Sequence, residues 1–227
     1  DERLPRLEAW GAALERAAAG SADDEVFIAL ADTLRRHRLP LGPFRDLLSA
    51  FRQDCLRQRY ERWDEVLDYC RRSANPIGRL MLRLYGAESP ANDRASDAIC
   101  TALQLLNFWQ DIAVDWQKDR VYLPGEDLAR FGVTEAHIAD ARCDDAWRAL
   151  ITFESSRTRT MLESGRPLTR ALPWRLRPRH SRGVARGPPD PGGDGGAPGG
   201  VFPRGPQPSR PRLGPGGRRA GFPPPRH

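Results

Sequence analysis

Two aspartates, Asp111 and Asp115, stand four residues apart in a segment with helical character. Residues four apart on a helix point the same way, so the two negative charges repel and raise each other's proton affinity. Gln104 and Asn107 precede them on the same helical face. A set of oxygen donors without His or Cys suits Mg²⁺, which proteins hold with one or two carboxylates plus phosphates of the substrate. The pattern therefore predicts a magnesium-dependent site for a phosphorylated molecule.

The surroundings of this polar face are mostly apolar. The other positions of the segment are Ile99, Ala102, Leu103, Leu105, Leu106, Phe108, Trp109, Ile112, Ala113, Val114 and Trp116. A helix that is apolar almost all round is typical of a protein interior, so we expect both carboxylates to face a dry internal cavity. The alternative is an ordinary solvated acidic face, as most such pairs are.

A cationic segment follows the two aspartates and reads Lys118-Asp119-Arg120-Val121-Tyr122-Leu123-Pro124. The guanidinium of Arg120 is suited to bidentate contact with a phosphate, next to a carboxylate-bound metal ion. Alternatively, Lys118 and Arg120 neutralise acidic residues at a helix end. The spacing alone does not separate these two interpretations.

The elements that must position these residues are all predicted to be helices. Apolar residues recur at helical spacing through the first 179 residues, and no segment alternates with the period of a strand. We predict helices over about 4–19, 23–37, 43–55, 64–85 with a kink at Asn75-Pro76, 90–118 without interruption, 134–142 and 144–164. The predicted fold class is therefore all-α.

The last part of the chain has a different composition. Residues 180–227 contain 13 Gly, 12 Pro, 8 Arg and two acidic residues, which accounts for the whole formal net charge of +6. Such a segment cannot bury enough apolar surface to offset its chain entropy, so we predict disorder over 179–227 and a helical domain over 1–178. A genuine basic linker and a GC-rich gene read out of frame explain this composition equally well.

Several protein classes do not fit this composition. The body before residue 180 has no net charge, which argues against a basic nucleic-acid-binding domain there. The uncharged stretch from Ala98 to Gln110 is 13 residues, shorter than the roughly 20 needed to span a bilayer. Four dispersed cysteines favour reduced thiols, and no secretory signal opens the chain, so we expect a cytoplasmic protein.

In combination, three motifs resemble the squalene and phytoene synthase family. They are Gln104-Leu-Leu-Asn107-Phe-Trp-Gln110-Asp111-Ile-Ala-Val-Asp115 with Arg120-Val-Tyr122-Leu-Pro124, Tyr69-Cys70-Arg-Arg-Ser73-Ala74-Asn-Pro-Ile77-Gly78, and Phe153-Glu154 through Gly165-Arg-Pro167-Leu168. The resemblance covers about residues 4–177. Within the family, the sequence is most similar to the bacterial hydroxysqualene synthases of hopanoid biosynthesis.

The resemblance implies a bundle of helices around a central cavity, the isoprenoid synthase fold. It implies that Asp111, Asp115 and Asn107 bind Mg²⁺ and that Arg120 and Tyr122 hold the diphosphate. Further residues would line the cavity, with Tyr69 also catalytic: Tyr69, Ala74, Ile77, Gly78 and Gln104. The implied reaction converts presqualene diphosphate to hydroxysqualene, by diphosphate departure, carbocation rearrangement and capture by water. So apolar a substrate implies at most peripheral contact with the inner face of the membrane.

The sequence departs from the family pattern at both ends. The family carries a first aspartate-rich motif upstream of the matched region, and Asp23-Asp24-Glu25 looks instead like a set of helix-capping acids. We therefore expect a chain truncated at its beginning, with half a metal site. Gln110 also stands where relatives often carry Arg, which bears on the diphosphate that is handled.

Three other functions stay open at the level of sequence. One is the head-to-head condensation of two prenyl diphosphates, as in presqualene diphosphate, squalene or phytoene synthases. Another is an inactive remnant whose helices only pack against a partner. The third is nucleic-acid binding through the arginine-rich tail, which would weaken steeply with salt.

A few conspicuous residues are predicted to be structural. We expect Trp10 to be a core or amphipathic anchor and Cys70 to be a small buried thiol. His137 is expected on an exposed polar helix. For Arg157 the sequence leaves open a phosphate contact and a solvated basic face.

Overall fold

A computed structural model describes residues 2–172, and this part of the chain contains helices and no strands. The predicted all-α class is confirmed. The predicted disordered tail lies outside the described residues, so its disorder stays a prediction. The helices are α1 (Arg3–Ala18), α2 (Glu25–His37), α3 (Gly42–Leu56), α4 (Trp63–Ser73), α5 (Asn75–Leu84), α6 (Pro90–Gln110), α7 (Ile112–Trp116), α8 (Gly125–Phe131), α9 (Glu135–Ala139), α10 (Asp145–Ser164) and α11 (Pro167–Ala171).

The first helices begin and end where the sequence predicts. The Asp24 carboxylate accepts hydrogen bonds from the backbone N–H groups of Val26 and Phe27, at 2.9 and 3.4 Å, and thereby caps α2. This confirms the capping role expected for the acids before α2. Pro43 lies in the first turn of α3, where its missing N–H costs nothing.

The predicted kink at Asn75-Pro76 is a full break between α4 and α5. Ala74 ends one helix and precedes the other. The break is anchored in the core, because the buried side chain of Asn75 accepts a hydrogen bond from the Thr101 hydroxyl of α6 at 2.9 Å. Tyr69 on α4 and Gly78 on α5 therefore approach α6 from two different helices.

Helix α6 is shorter than predicted. It ends at Gln110, and Asp111 takes φ −101° and ψ 13° before α7 begins. The prediction of one uninterrupted helix over 90–118 is wrong at this residue. The N–H of Asp115 still donates to the Asp111 carbonyl at 2.8 Å, so the one-turn relation between the two aspartates survives the break.

The core of the described bundle forms around α6. Ala102, Leu105 and Phe108 are buried along it, with α4 and α5 against one part of its surface and α10 against another. The indole N–H of Trp109 donates to the Thr158 hydroxyl of α10 at 3.0 Å. Helix α6 thus sets the position of the polar residues at its C-terminal end.

Arg157 on α10 is not part of a solvated face. Its guanidinium donates to both carboxylate oxygens of buried Glu154 at 2.7 Å and to Asp127 of α8 at 2.7 Å. The same group lies 3.4 Å from the centroid of the Trp63 ring. Burial is the largest influence on Glu154 and raises the pKa of its carboxyl to about 7.

Two further expectations about side chains are wrong. His137 is 4% exposed, because its ring accepts from the Thr134 N–H at 3.1 Å and lies 3.3 Å from the Asp144 carboxylate. Trp10 is 58% exposed and borders an open cavity that Phe51 of α3 also lines. Cys70 is fully buried as predicted, and burial raises the pKa of its thiol to about 12. No helix within residues 2–172 has the length and apolarity needed to cross a membrane.

Candidate functional site

Four aromatic rings form one cluster at the C-terminal end of α6. The rings of Phe108 and Tyr122 are stacked, with centroids 3.8 Å apart and planes 5° from parallel. Tyr69 lies 6.0 Å from Phe108 and 5.9 Å from Tyr122, and Tyr60 lies 5.7 Å from Tyr122. We call these four residues the aromatic cluster. It brings together Tyr69 and Tyr122, which the sequence resemblance assigned to the same site.

The aromatic cluster is assembled from segments far apart in sequence. Tyr69 comes from α4, Phe108 from α6, and Tyr122 from the connection between α7 and α8. That connection is fixed by backbone hydrogen bonds from Val121 to the carbonyl of Gln58 at 2.9 Å and from Gly125 to that of Tyr60 at 2.8 Å. The position of Tyr122 is therefore set by the segment that precedes α4.

The three tyrosines of the aromatic cluster are buried together. The Gln53 amide donates a hydrogen bond to the Tyr60 hydroxyl at 3.1 Å. Burial raises the pKa of Tyr69, and the neighbouring Tyr122 and Asp54 raise it further. Burial also raises the pKa of Tyr60 and Tyr122, so all three hydroxyls stay protonated at neutral pH.

Asp54 was not identified from the sequence. It is half-buried in α3, and desolvation raises the pKa of its carboxyl, while the Tyr69 hydrogen bond and the charges of Arg120 and Arg3 lower it. Its one signal in the sequence is its position four residues after Ala50, which is fully buried in α3. That spacing places Asp54 on the inward face of the helix.

Arg120 joins the aromatic cluster to the aspartates. Its backbone N–H donates to the carbonyl of Asp115 at 2.8 Å, and its Nη2 donates to the backbone carbonyl of Asp54 at 3.3 Å. The Arg120 side chain also borders an open cavity of about 350 Å³. Other residues around this cavity are Arg3, Arg6, Trp10, Phe51 and Asp54. Arginines on two sides give the cavity a positive potential that suits an anion.

The two aspartates have different environments. The side chain of Asp115 is 15% exposed, lies 3.6 Å from the Lys118 ammonium and borders a small hollow of about 10 Å³ beside Tyr122 and Arg120. Asp111 is exposed. The expectation that both carboxylates lie deep among apolar residues is wrong for Asp111, because α6 ends there and no described element covers that side.

The amides predicted beside the aspartates lie along the same part of α6. Asn107 is exposed and Gln104 is half-buried. The backbone N–H of Asp111 donates to the Asn107 carbonyl at 2.9 Å, so Asn107, Asp111 and Asp115 follow one another at intervals of one turn. As metal ligands, their side chains offer only oxygen atoms, on a face open to solvent.

This donor set fits a magnesium ion. Mg²⁺ keeps several of its waters and needs only one or two protein carboxylates together with phosphate oxygens, so an open face suits it better than a closed cage. Within residues 2–172, no three His, Cys, Asp or Glu side chains gather closely enough to hold a metal. Any magnesium here would therefore take much of its coordination from a bound diphosphate.

The residues near the start of α5 that were predicted to line the cavity differ in their exposure and packing. Ile77 is 52% exposed, and Ala74 is half-buried at the α4–α5 break. Gly78 contacts α6 closely, because a Cβ atom built on it would meet the Ser96 hydroxyl and would lie 2.7 Å from the Cys100 sulfur. Gly78 therefore permits the close approach of α5 to α6.

A family model of squalene/phytoene synthases matches residues 1–186. A 15-cis-phytoene synthase of Synechococcus elongatus is 36% identical over 170 residues, which are 69% of this chain and 55% of the relative. A hydroxysqualene synthase of Rhodopseudomonas palustris is 43% identical over 124 residues, which are 54% of this chain and 42% of the relative. The chain thus spans about half the length of the curated relatives it matches.

Solved structures have the same arrangement of helices. A squalene synthase from Alicyclobacillus acidocaldarius superposes with a TM-score of 0.75 at 40% identity, covering 78% of this chain and 67% of that one. A dehydrosqualene synthase in complex with a ligand gives 0.69 at 23% identity, covering 74% and 60%, and supports the fold alone. The expected isoprenoid synthase fold is confirmed.

Proposed function

We propose, from the premise that the chain belongs to the squalene/phytoene synthase family, that it converts presqualene diphosphate to hydroxysqualene with Mg²⁺. The hydroxysqualene synthase of Rhodopseudomonas palustris, at 43% identity, supports this substrate among those of the family. A second hydroxysqualene synthase, from Sinorhizobium fredii, is 37% identical over 150 residues.

One observation carries the proposal. Asp115, Arg120 and Tyr122 border the same small hollow, and the Tyr69 ring lies 5.9 Å from that of Tyr122. A guanidinium, a carboxylate and protonated hydroxyls with aromatic faces therefore lie side by side. This combination suits a reaction in which a diphosphate leaves and a carbocation remains.

Each part of the arrangement has a role in the proposed reaction. The C–O bond to the diphosphate breaks, and its electron pair stays with the leaving group. Mg²⁺ held by Asp111, Asp115 and Asn107 would supply charge neutralisation for that group. Arg120 binds and orients the same anion through its guanidinium. The apolar chain of the substrate contacts four further residues in this proposal: Gln104, Ala74, Ile77 and Gly78.

The aromatic cluster acts on the cation that remains. The ring faces of Phe108, Tyr69 and Tyr122 carry partial negative charge and stabilise a nearby cation. The buried hydroxyls hold a water molecule as acceptors or donors without ionising, because burial raises the pKa of Tyr69 and Tyr122. Water then forms the new C–O bond, and its proton leaves to solvent or to the released diphosphate.

Product analysis tests the proposal. The full chain is incubated with Mg²⁺ and either presqualene diphosphate or farnesyl diphosphate, and organic extracts are separated by mass spectrometry. We expect hydroxysqualene from the first substrate and no turnover of the second. Consumption of farnesyl diphosphate alone contradicts the assignment.

A second candidate function is the condensation of two prenyl diphosphates. It is favoured by the 15-cis-phytoene synthase of Synechococcus elongatus, which matches a larger share of this chain than the Rhodopseudomonas hydroxysqualene synthase does. Under this alternative, the same incubation converts two molecules of farnesyl diphosphate to presqualene diphosphate and inorganic diphosphate, and squalene forms only when a hydride donor such as NADPH is added. Phytoene forms only when geranylgeranyl diphosphate replaces farnesyl diphosphate.

A further inference from the structure

Arg59 lies in the connection between α3 and α4, and its guanidinium contacts the cationic segment that carries Lys118 and Arg120. Its Nη1 donates to the backbone carbonyl of Asp119 at 2.5 Å, and its Nη2 donates to the Asp119 carboxylate at 2.8 Å. Its Nε donates to the Glu135 carboxylate of α9 at 2.6 Å. One side chain thus joins its own connection to two segments that lie 60 and 76 residues further along the chain.

The bond to the Asp119 carbonyl fixes the peptide group that precedes Arg120. The oxygen of this peptide is held by Arg59, and its N–H, which belongs to Arg120, donates to the carbonyl of Asp115 at 2.8 Å. A peptide group is planar, so contacts at both of these atoms leave it little freedom to rotate. The direction in which the Arg120 side chain leaves the backbone is thereby set relative to Asp115.

The backbone at Asp119 needs this support. Its φ of 57° lies in the left-handed region, which costs a non-glycine residue free energy, although Asp and Asn tolerate it better than most. The Asp119 side chain is 82% exposed, so its ion pair with Arg59 stabilises this turn little. The contact that determines the position of the turn is therefore the one to the backbone carbonyl.

Arg59 is itself held in place by its neighbours. Its Nε and Nη2 donate to the two carboxylate oxygens of Glu135 at 2.6 and 3.2 Å, a bidentate geometry that fixes the plane of the guanidinium. The guanidinium carbon also lies 5.7 Å from the centroid of the Trp116 ring at the end of α7. The charge of Arg59 is paired with the carboxylates of Glu135 and Asp119, so this guanidinium supports the turn instead of binding a diphosphate itself.

We propose that Arg59 is a positioning residue, which fixes the turn at Asp119 and thereby directs the Arg120 guanidinium toward the diphosphate. This inference rests on the proposed function, in which Arg120 binds that anion. Arg59 does not contact the substrate, and its effect on the anion passes through Arg120. Loss of Arg59 should therefore weaken anion binding only while Arg120 is present.

The first test compares Arg59→Met with Arg62→Met in the full chain. Methionine keeps an unbranched side chain but removes every guanidinium donor, and Arg62 of the same connection bonds to the nearby Asp64 at 2.9 Å. Binding of inorganic pyrophosphate in the presence of Mg²⁺ is measured by calorimetry, at a temperature at which circular dichroism shows the variants to be folded. We expect Arg59→Met to raise the Kd about tenfold or more, and Arg62→Met to change it less than about twofold. An unchanged Kd in Arg59→Met overturns the inference.

The second test separates position from charge and uses a milder variant, Arg59→Lys. Lysine keeps the positive charge beside Glu135 but lacks the planar fork that reaches the Asp119 carbonyl at the same time. We expect the pyrophosphate Kd to rise about threefold or more. Full affinity in Arg59→Lys would show that the charge alone suffices, and this result overturns the inference even if Arg59→Met does not fold.

The third test asks whether the effect passes through Arg120. Arg120→Gln alone should raise the pyrophosphate Kd. Adding Arg59→Lys or Arg59→Met to it should raise the Kd further by less than about twofold, because the guanidinium that Arg59 positions is already gone. A general structural effect of Arg59 would multiply with that of Arg120→Gln, and this result overturns the inference.

None of these measurements needs turnover, so they separate the inference from the proposed function. A chain that turns over no prenyl diphosphate, but shows these losses and their dependence on Arg120, contradicts the proposed function and retains the inference. Formation of hydroxysqualene together with unchanged pyrophosphate affinity in the Arg59 variants supports the proposed function and overturns the inference. A chain that binds no pyrophosphate overturns both.

Discussion

At the scale of single residues, Asp111 and Asp115 lie one turn apart in different surroundings. The spacing of Asp111 and Asp115 on one helical face survives in the structure, because the backbone hydrogen bond between them is kept. Their exposure differs, since α6 ends at Asp111. Asp54 was missed, because a single acid on the inward face of an amphipathic helix is a weak signal until the residues around it are placed in space.

Asp115 should matter for turnover more than for folding. We expect Asp115→Asn to lower turnover of presqualene diphosphate about a hundredfold or more, because a metal-binding carboxylate is lost. The free energy of unfolding should change by less than about 1 kcal/mol, since its ion pair with the exposed Lys118 spans 3.6 Å. Steady-state kinetics and urea unfolding measure the two effects.

The matched control for this prediction is Asp145→Asn, whose side chain is fully exposed at the start of α10. It should leave both quantities unchanged. A loss of stability in Asp115→Asn that equals the loss of activity would assign Asp115 a structural role.

Glu154 should make the stability depend on pH. Its carboxyl has a pKa raised to about 7 from the ordinary value of 4.5, chiefly by burial, so the folded state binds more protons than the unfolded state between these values. Stability is therefore greatest at the acid end of this window and falls by about 3 kcal/mol as the pH rises through it. Urea unfolding at a series of pH values measures this slope.

The charged groups that face Glu154 are Arg157 and Asp127. Both remain in the control variant, Glu163→Gln. Glu154→Gln should flatten the slope, whereas Glu163→Gln, at an exposed position of the same helix, should keep it. A slope that is the same in all three proteins would contradict the assignment to Glu154.

At the scale of elements, the sequence predicts most helices well because their ends carry local signals. Asp24 and Asp144 cap α2 and α10 with their side chains, and these starts were predicted to within two residues. The short helices α8 and α11 were missed, since seven- and five-residue segments show too little periodicity. The end of α6 was missed because a break that keeps its hydrogen bonds has no marker such as Pro or Gly.

Gly78 tests the packing of α5 on α6. We expect Gly78→Ala to lower the free energy of unfolding by about 1–3 kcal/mol, because its Cβ would meet Ser96 and Cys100. Gly42→Ala, at a helical position with nothing within 4 Å of the added Cβ, should be neutral or slightly stabilising. Equal effects of the two changes on urea unfolding would contradict the close approach.

At the scale of the whole molecule, composition predicts a boundary between a helical body and a tail, and the family resemblance identified the fold. Every residue whose structure is described above lies within 2–172. Physical reasoning from the sequence predicts a helical body with a magnesium site. The packing of α3, α4 and α6 around the tyrosines could not be predicted, because it depends on contacts between residues far apart in sequence.

The tail should add nothing to the stability of the body. We expect a chain that ends at Arg179 to keep the melting temperature of the full chain to within about 2 °C, since the Gly- and Pro-rich composition offers little apolar surface to bury. Calorimetry measures this. Any affinity of the full chain for DNA should fall steeply with salt and disappear with the tail. A clearly lower melting temperature of the shortened chain would show that the tail packs on the body.

The central claim is that Asp111 and Asp115 hold magnesium together with a diphosphate. Calorimetric titration of Mg²⁺ into the full chain, with and without inorganic pyrophosphate, tests it most directly. The account predicts saturable binding of Mg²⁺ that requires pyrophosphate, is lost in the Asp111→Asn, Asp115→Asn double variant and is kept in Asp140→Asn. Pyrophosphate-dependent binding of equal strength in the double variant would contradict the claim.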